Sequence, residues 1–476
     1  MSYPNPPYRL ENGLLSREMS KAKKELPSLA LRLAIIIFSL IYLFSLEYIY
    51  LEIISRKYLY MGLRSSNIAN SDYLFAVVMV ILTSAFMPPT MRRPSTAILI
   101  FMYGTVVLPT MIFPCHLLGT QPYQLVLSIA GCFILLCLIC GRKPIVLPAM
   151  DFGPSMALTL LVLIGFITLA LRFYFFPDIE LDFNLYDVYH RRLQGREITG
   201  TRNINAYALN LGTSGVGLLL IAVGITKRIY ALFFLGVFIY FVAYLTVGNK
   251  DSIFVPILLI FAVIFLKYQR RVFVPSIFVA LILLIWLGIV EWHYRKTFEI
   301  ASLLVRRQLV FPSVGNLSYF QFFSVNPLYY WSDSFLRFFI DCPYPEGKAF
   351  LMGRMAGSTT LSANTNIWAS AFADAGYLGM ILVTVVVGYI ARILDGFATR
   401  LGLPIVALVA FGIAAKMSNT GLERVMFTHG ALPVIVFLYL LQPLDRHSLF
   451  FVKPRSSTSY PHLQPKRTPG NPNVQR

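Results

Sequence analysis

Residues 155–175 read SMALTLLVLIGFITLALRFYF, and this stretch decides the fold. Its only charge is Arg172. A helix rises about 1.5 Å per residue, so an uninterrupted apolar run of this length crosses the ~30 Å hydrocarbon core of a bilayer. Eleven further apolar runs are spaced along the chain: 29–46, 73–87, 96–113, 122–140, 206–225, 229–247, 253–266, 272–290, 377–393, 402–416 and 431–441. The second, eighth, eleventh and twelfth runs in chain order are short. The expected fold class is therefore all-α, a polytopic integral membrane helix bundle of about 12 transmembrane helices.

Composition excludes the soluble alternative. With 57% hydrophobic and only 13% charged residues, a water-soluble domain of 476 residues would lack the polar surface to cover itself. The net charge of +19 has a topological origin. With the N terminus inside, the short inner loops and adjoining helix ends hold eleven Lys or Arg, from Arg92 and Arg93 to Arg392 and Arg400. The short outer loops hold three, Lys250, Lys416 and Arg424, so both termini are expected inside. The first outer loop, with Arg56, Lys57 and Arg64, runs against the rule. A nucleic-acid partner is not needed to explain the charge.

The chain divides into an N-terminal inner segment (1–28), a membrane domain (29–444) and a basic tail (445–476). The tail is rich in Pro, Ser and Asn without apolar periodicity, so disorder and contact with membrane lipids are expected. The first apolar run has no small-residue cleavage site after it and continues into EYIYLE, which reads as a retained anchor. Cys132, Cys137 and Cys140 fall within one helix with no second pair for a metal site, so packing is their expected role. Cys115 and Cys342 share the outer side.

Two outer loops, 176–205 and 291–366, are too long to be plain connections, and both are rich in Arg. The first contains DVYHRRLQGREITGTRN, with His190, Arg191 and Arg192 in succession. Guanidinium forks match phosphate oxygens; pairing with the loop's own acids, Asp178 to Glu197, or with lipid headgroups explains the same residues. The second loop carries His293, then Arg306 and Arg307 ending an apolar helical segment before Pro312. Ten aromatics follow between Tyr319 and Phe339, interleaved with Asn326, Ser332 and Asp333. Such a run suits sugar rings, and it equally suits a helix lying at the membrane interface, the reading favoured from this stretch alone.

The order of these features resembles the Wzy-type O-antigen polymerases, the oligosaccharide repeat-unit polymerases. The resemblance runs from about Tyr186 to Gly379 through Tyr189 to Arg192, GNKDS (248–252), RRQLVFP (306–312), YFQFFSVNP (319–327) and SANTNIWASAFADAGYLG (362–379). It implies an enzyme of the bacterial inner membrane whose large loops are periplasmic. The implied reaction is glycosyl transfer, joining undecaprenyl-diphosphate-linked repeat units without a nucleotide sugar, metal or other cofactor. A chain-length regulator protein is the macromolecular partner it suggests.

Charge develops on the diphosphate leaving group, so the expected clamp is Arg191, Arg192, Arg306 and Arg307, with Lys250 reaching the same cavity. A base must take the acceptor proton, and His190, His293 and Asp333 are equal candidates. Tyr319, Asn326, Tyr330 and Asn364 are the expected sugar contacts. Asp374 is a further sugar contact or a packing group near a helix entry. An O-antigen ligase shares the donor chemistry. A lipid-linked oligosaccharide flippase should carry charge inside its helices, which here look nearly charge-free.

Overall fold

A computed structural model describes residues 9–149, 153–177, 208–247, 251–357 and 361–442. Among these, every regular element is helical. Seven helices are long and apolar enough to cross a membrane: α1 (Leu29–Lys57), α3 (Ser95–Leu118), α4 (Tyr123–Cys140), α5 (Pro154–Phe175), α6 (Ala208–Lys227), α9 (Phe273–Arg295) and α12 (Ile367–Leu401). Five shorter apolar helices join them: α2 (Asn70–Ala85), α7 (Tyr230–Thr246), α8 (Val255–Leu266), α13 (Leu403–Met417) and α14 (Ala431–Leu440). Each apolar run in the sequence thus has its helix, because an apolar solvent leaves the backbone no partner but itself. The helix containing α1 starts at Arg9, inside the segment expected to precede the membrane domain. The large loop 178–207 and the tail from 443 lie outside the described residues.

The most enclosed helix is α3, with 89% of its apolar window buried. It is tied to its neighbours by polar contacts: Tyr42 donates to the Gly104 carbonyl at 2.9 Å, and the Ser95 N–H and hydroxyl both donate to Asp395 at 2.8 Å. On one flank α1 packs on α9, with Trp286 stacked on Tyr48 at 5.9 Å and its indole N–H on Ser45. On another, α12 packs on α4 and on the irregular segment after it, where the Ile145 N–H donates to the Arg392 carbonyl at 3.0 Å. A Cβ added at Gly396 would overlap the Ile145 carbonyl. Gly396→Val is therefore expected to cost about 1–3 kcal/mol, read as a lower unfolding temperature in detergent by tryptophan fluorescence.

The region 291–366 is not an open loop. After α9 the chain makes a π-helical stretch, Ala301–Val310, that runs directly into α10 (Phe311–Phe323). The helix does not stop at Arg307. Pro312 lies inside this continuous helix, two residues after the π-helical stretch ends at Val310. α10 lies between α3 and α12: Ser313 donates to the Pro109 carbonyl at 3.1 Å, Asn316 to Thr110 at 2.8 Å, and Asn366 to Asn316. The aromatic run divides accordingly. Tyr319, Phe323 and Tyr329 are buried, whereas Phe338 and Phe339 are exposed.

The helices also carry more charge than their sequence suggested. Glu47 accepts from Tyr73 and pairs with His116 at 3.0 Å, and Asp72 accepts from Tyr123 and the Gln121 N–H. Arg172, almost fully buried, donates to Thr246 at 2.7 Å and Thr213 at 2.8 Å. These groups escaped notice because one charge scarcely lowers the mean hydropathy of a run, and their partners lie 26 to 74 residues away and form no pattern.

Candidate functional site

The site is built around a break in α12. Asn366 caps its N terminus, accepting from the N–H groups of Trp368 and Ala369 at 3.0 and 3.3 Å. Nine residues later the helix is interrupted: Ala375 has φ −148° and ψ 29°, and Gly376 has φ 59° and ψ −145°. That φ at Gly376 favours glycine. The interruption strands carbonyls at the end of the first half-helix, and another segment satisfies them: the Tyr329 and Tyr330 N–H groups donate to Ala373 and Asp374, both at 2.9 Å. Asp374, fully buried, closes the half-helix.

Facing it is Lys348, the first residue of α11 (Lys348–Met355). Its ammonium donates to both Asp374 oxygens at 2.6 and 2.7 Å and lies 3.4 Å from Glu423 and 3.5 Å from Asp333. Its backbone N–H donates to Asp333 Oδ2 at 3.1 Å. Burial pushes this ammonium down, but Glu423, Asp374 and Asp333 together outweigh it and hold Lys348 above its ordinary value. It therefore stays charged, at the centre of three buried carboxylates. Gly421 permits the approach, since a Cβ there would sit 2.5 Å from Glu423 Oε1.

One corner of the group, itself buried, is short of a hydrogen bond. Asp333 Oδ1 accepts none from the described residues, although it lies within ion-pair distance of Lys348. Beside it Arg424, about one-third exposed, is 3.8 Å from Asp333 Oδ2 and donates to Asn364 Oδ1 at 3.4 Å. The Tyr329 ring lies 6.0 Å from the ammonium, and the Tyr319 hydroxyl donates to the Ala363 carbonyl at 3.0 Å. Three carboxylates against two cations leave the cluster with an excess carboxylate. The arrangement offers a carboxylate oxygen at Asp333 with an unfilled acceptor site, and it presents one guanidinium to an incoming anion.

Four of the residues expected from sequence meet around this corner. Asp333 and Asn364 are both held by Arg424; Tyr319 anchors the segment leading to Asn364; Tyr330 follows the buried Tyr329 and is half exposed. Asn326 donates to the Phe322 carbonyl, finishing its own helix. His293 is exposed, with Nδ1 3.0 Å from the Ile289 carbonyl one turn back. The partners of Arg306 lie elsewhere, in Met61, Ser302 and the rings of Tyr58 and Phe311. Arg307 is exposed. His190, Arg191, Arg192 and Lys250 lie outside the described residues.

Lys348 and Glu423 went unnoticed in the sequence. The signal available was rarity: between residues 347 and 442 the only acids are Asp374, Asp395 and Glu423, and each is buried here. Among the described residues no group of three His, Cys, Asp or Glu is arranged to hold a metal ion. No family model, curated protein or solved structure matches this chain.

Proposed function

We propose that the protein polymerises undecaprenyl-diphosphate-linked oligosaccharide repeat units into O-antigen or a related surface polysaccharide. In this reading all twelve apolar helices cross a bacterial inner membrane, both termini are cytoplasmic, and the Lys348 cluster opens to the periplasm. The observation that carries it is the buried oxygen of Asp333 that no described residue hydrogen-bonds. A carboxylate beside Lys348 with an unfilled acceptor site is suited to draw a proton from a sugar hydroxyl brought to it. The hydroxyl oxygen then bonds to the anomeric carbon of the donor, the bond to the lipid diphosphate breaks, and the diphosphate leaves with the electron pair. Arg424 is the described cation that stands where that negative charge would develop. One well-placed donor of this kind is worth about 3–4 kcal/mol of transition-state stabilisation. Arg191, Arg192 and Lys250 are proposed to complete the clamp, and His190 remains the alternative base. Arg306 has its partners elsewhere and Arg307 is exposed, and neither takes part in the proposed step.

A second reading, the lipid-linked oligosaccharide flippase, is favoured by the broken α12 and by the charge buried inside the bundle. Gene deletion in the native host, read as surface-glycan banding on a gel with complementation, separates the two. The polymerase reading expects the ladder to collapse to a single-repeat band, because one unit is still flipped and ligated. Loss of even that band would replace it with the flippase or with an O-antigen ligase, and an unchanged ladder would end it.

A further inference from the structure

The cations of the first outer loop, which ran against the charge rule, have a structural setting that the proposed transfer does not use. Lys57, at the end of α1, places its ammonium 4.6 Å from the ring centre of Trp292 and 5.5 Å from that of Phe298. Next to it Tyr58 packs on Phe298 and underlies Arg306, whose guanidinium carbon is 4.1 Å from the Tyr58 ring centre. Segments 52–64 and 291–307 are thereby joined into one surface. Together they hold seven Lys or Arg against three Glu. Glu52 is bound to Arg56 at 3.2 Å, and Glu291 is occupied by Thr297 and the N–H groups of Glu299 and Ile300.

Arg306 is the buried member of this surface. Only 7% of it is exposed, Nε has no hydrogen-bond partner among the described residues, and the two terminal nitrogens reach a hydroxyl, Ser302, and a thioether, Met61. A thioether is a weak acceptor, and no carboxylate pairs with Arg306 among the described residues. Buried charges are normally paired, and among the described residues this cation has no anion.

The surface stands at the head of an apolar stripe. On α1 the exposed residues are Leu29, Leu33, Ile37, Ile41, Phe44 and Tyr48, a face repeating every three to four residues. On α9, packed beside it, Leu283, Trp286, Leu287 and Val290 continue the stripe, and exposed Tyr294 and Tyr60 mark its upper edge. Apolar faces that end in aromatic rings and then in cations match the cross-section of a lipid, from acyl chain to headgroup.

We infer that the α1–α9 face is a binding site for an anionic phospholipid of the surrounding bilayer, with its phosphate held by Arg306 and Lys57 and its chains along the apolar stripe. The inference does not depend on the glycosyl-transfer reading, and its test involves no glycan. The purified full chain is placed in nanodiscs of phosphatidylcholine with or without phosphatidylglycerol, and its unfolding temperature is measured. Binding to the folded state alone raises that temperature. Phosphatidylglycerol is expected to raise it for the unaltered protein and for Arg271→Gln, an exposed cation elsewhere. Lys57→Gln, on the surface and tolerable to the fold, should lose much of the rise, and Lys57→Gln with Arg306→Gln nearly all. An undiminished rise in both variants would overturn the site. An equal rise from inorganic diphosphate in pure phosphatidylcholine discs would overturn the phospholipid assignment, pointing to a soluble or substrate-borne phosphate.

Discussion

Lys348→Met is expected to be the most destabilising single substitution at the site, lowering stability by about 3–5 kcal/mol and leaving little folded protein in detergent extracts. The reason is the company the ammonium keeps. Asp374 is fully buried and has both oxygens on Lys348, while Glu423 and Asp333 lie within 3.5 Å of it. Removing the cation strands these anions in a place where water cannot reach them, and a broken buried pair costs far more than the intact pair contributes. Lys348→Met combined with Asp374→Leu should recover part of the loss, because the closest stranded charge goes with its partner. A double-mutant cycle scored by fluorescence-detected size exclusion measures that coupling. Additive losses would show that the pair is not the organising contact. The contribution also has a defined pH range. Lys348 is held above its ordinary value of 10.5, so the lysine's own share of the stabilisation is present below that pH and is lost as the pH rises through the higher folded value.

Asp333→Asn is expected to leave the protein folded and to reduce polymer formation by about 10²–10⁴-fold, the usual worth of a positioned proton acceptor. An amide can still accept from the Lys348 N–H through its oxygen, so the local fold is preserved while the basic oxygen is lost. The measurement is transfer between purified lipid-linked repeat units in detergent, with chain length read by gel. Normal ladder lengths from a well-folded Asp333→Asn protein would remove Asp333 from the reaction and return the base to His190 or His293. Asp374→Asn serves as the contrast. Both oxygens of its carboxylate accept from Lys348, so its loss should lower the yield of folded protein more than the activity per folded molecule.

How much of this could be read in the chain depended on whether the determinant was local. The apolar helices were legible because a bilayer imposes one requirement on every crossing, and residues 155–175 meet it visibly. Pro312 misled because proline commonly ends a helix. Here the helix continues through it, one residue after the π-to-α transition at Val310 and Phe311, and nothing local announces that transition. The aromatics from Tyr319 to Tyr329 have the composition of an interfacial segment and also of a core, and only the packing of α10 between α3 and α12 selects the core. Asp333 was one of three equal candidates until the fold brought Lys348 and Arg424 to it. The Lys348–Glu423 contact spans 75 residues with no periodicity between them, and Asp374, 26 residues from Lys348, resembled a helix-entry residue whose capping role Asn366 performs. Long-range charge pairing leaves almost no trace in one sequence, because a single lysine or glutamate is not a pattern.

That same spacing bears on how the protein is made. Ribosomes deliver Asp333 and Lys348 well before Asp374, and Glu423 last of all. For part of synthesis the ammonium is therefore without its closest counter-charge, and for longer the cluster is incomplete. The segment 301–357 cannot settle between α3 and α12 until α12 exists, so it must wait at the aqueous boundary while later helices are delivered to the lipid. Nascent chains arrested between residues 357 and 423 should consequently be open to proteases throughout 301–357, and the finished chain should not.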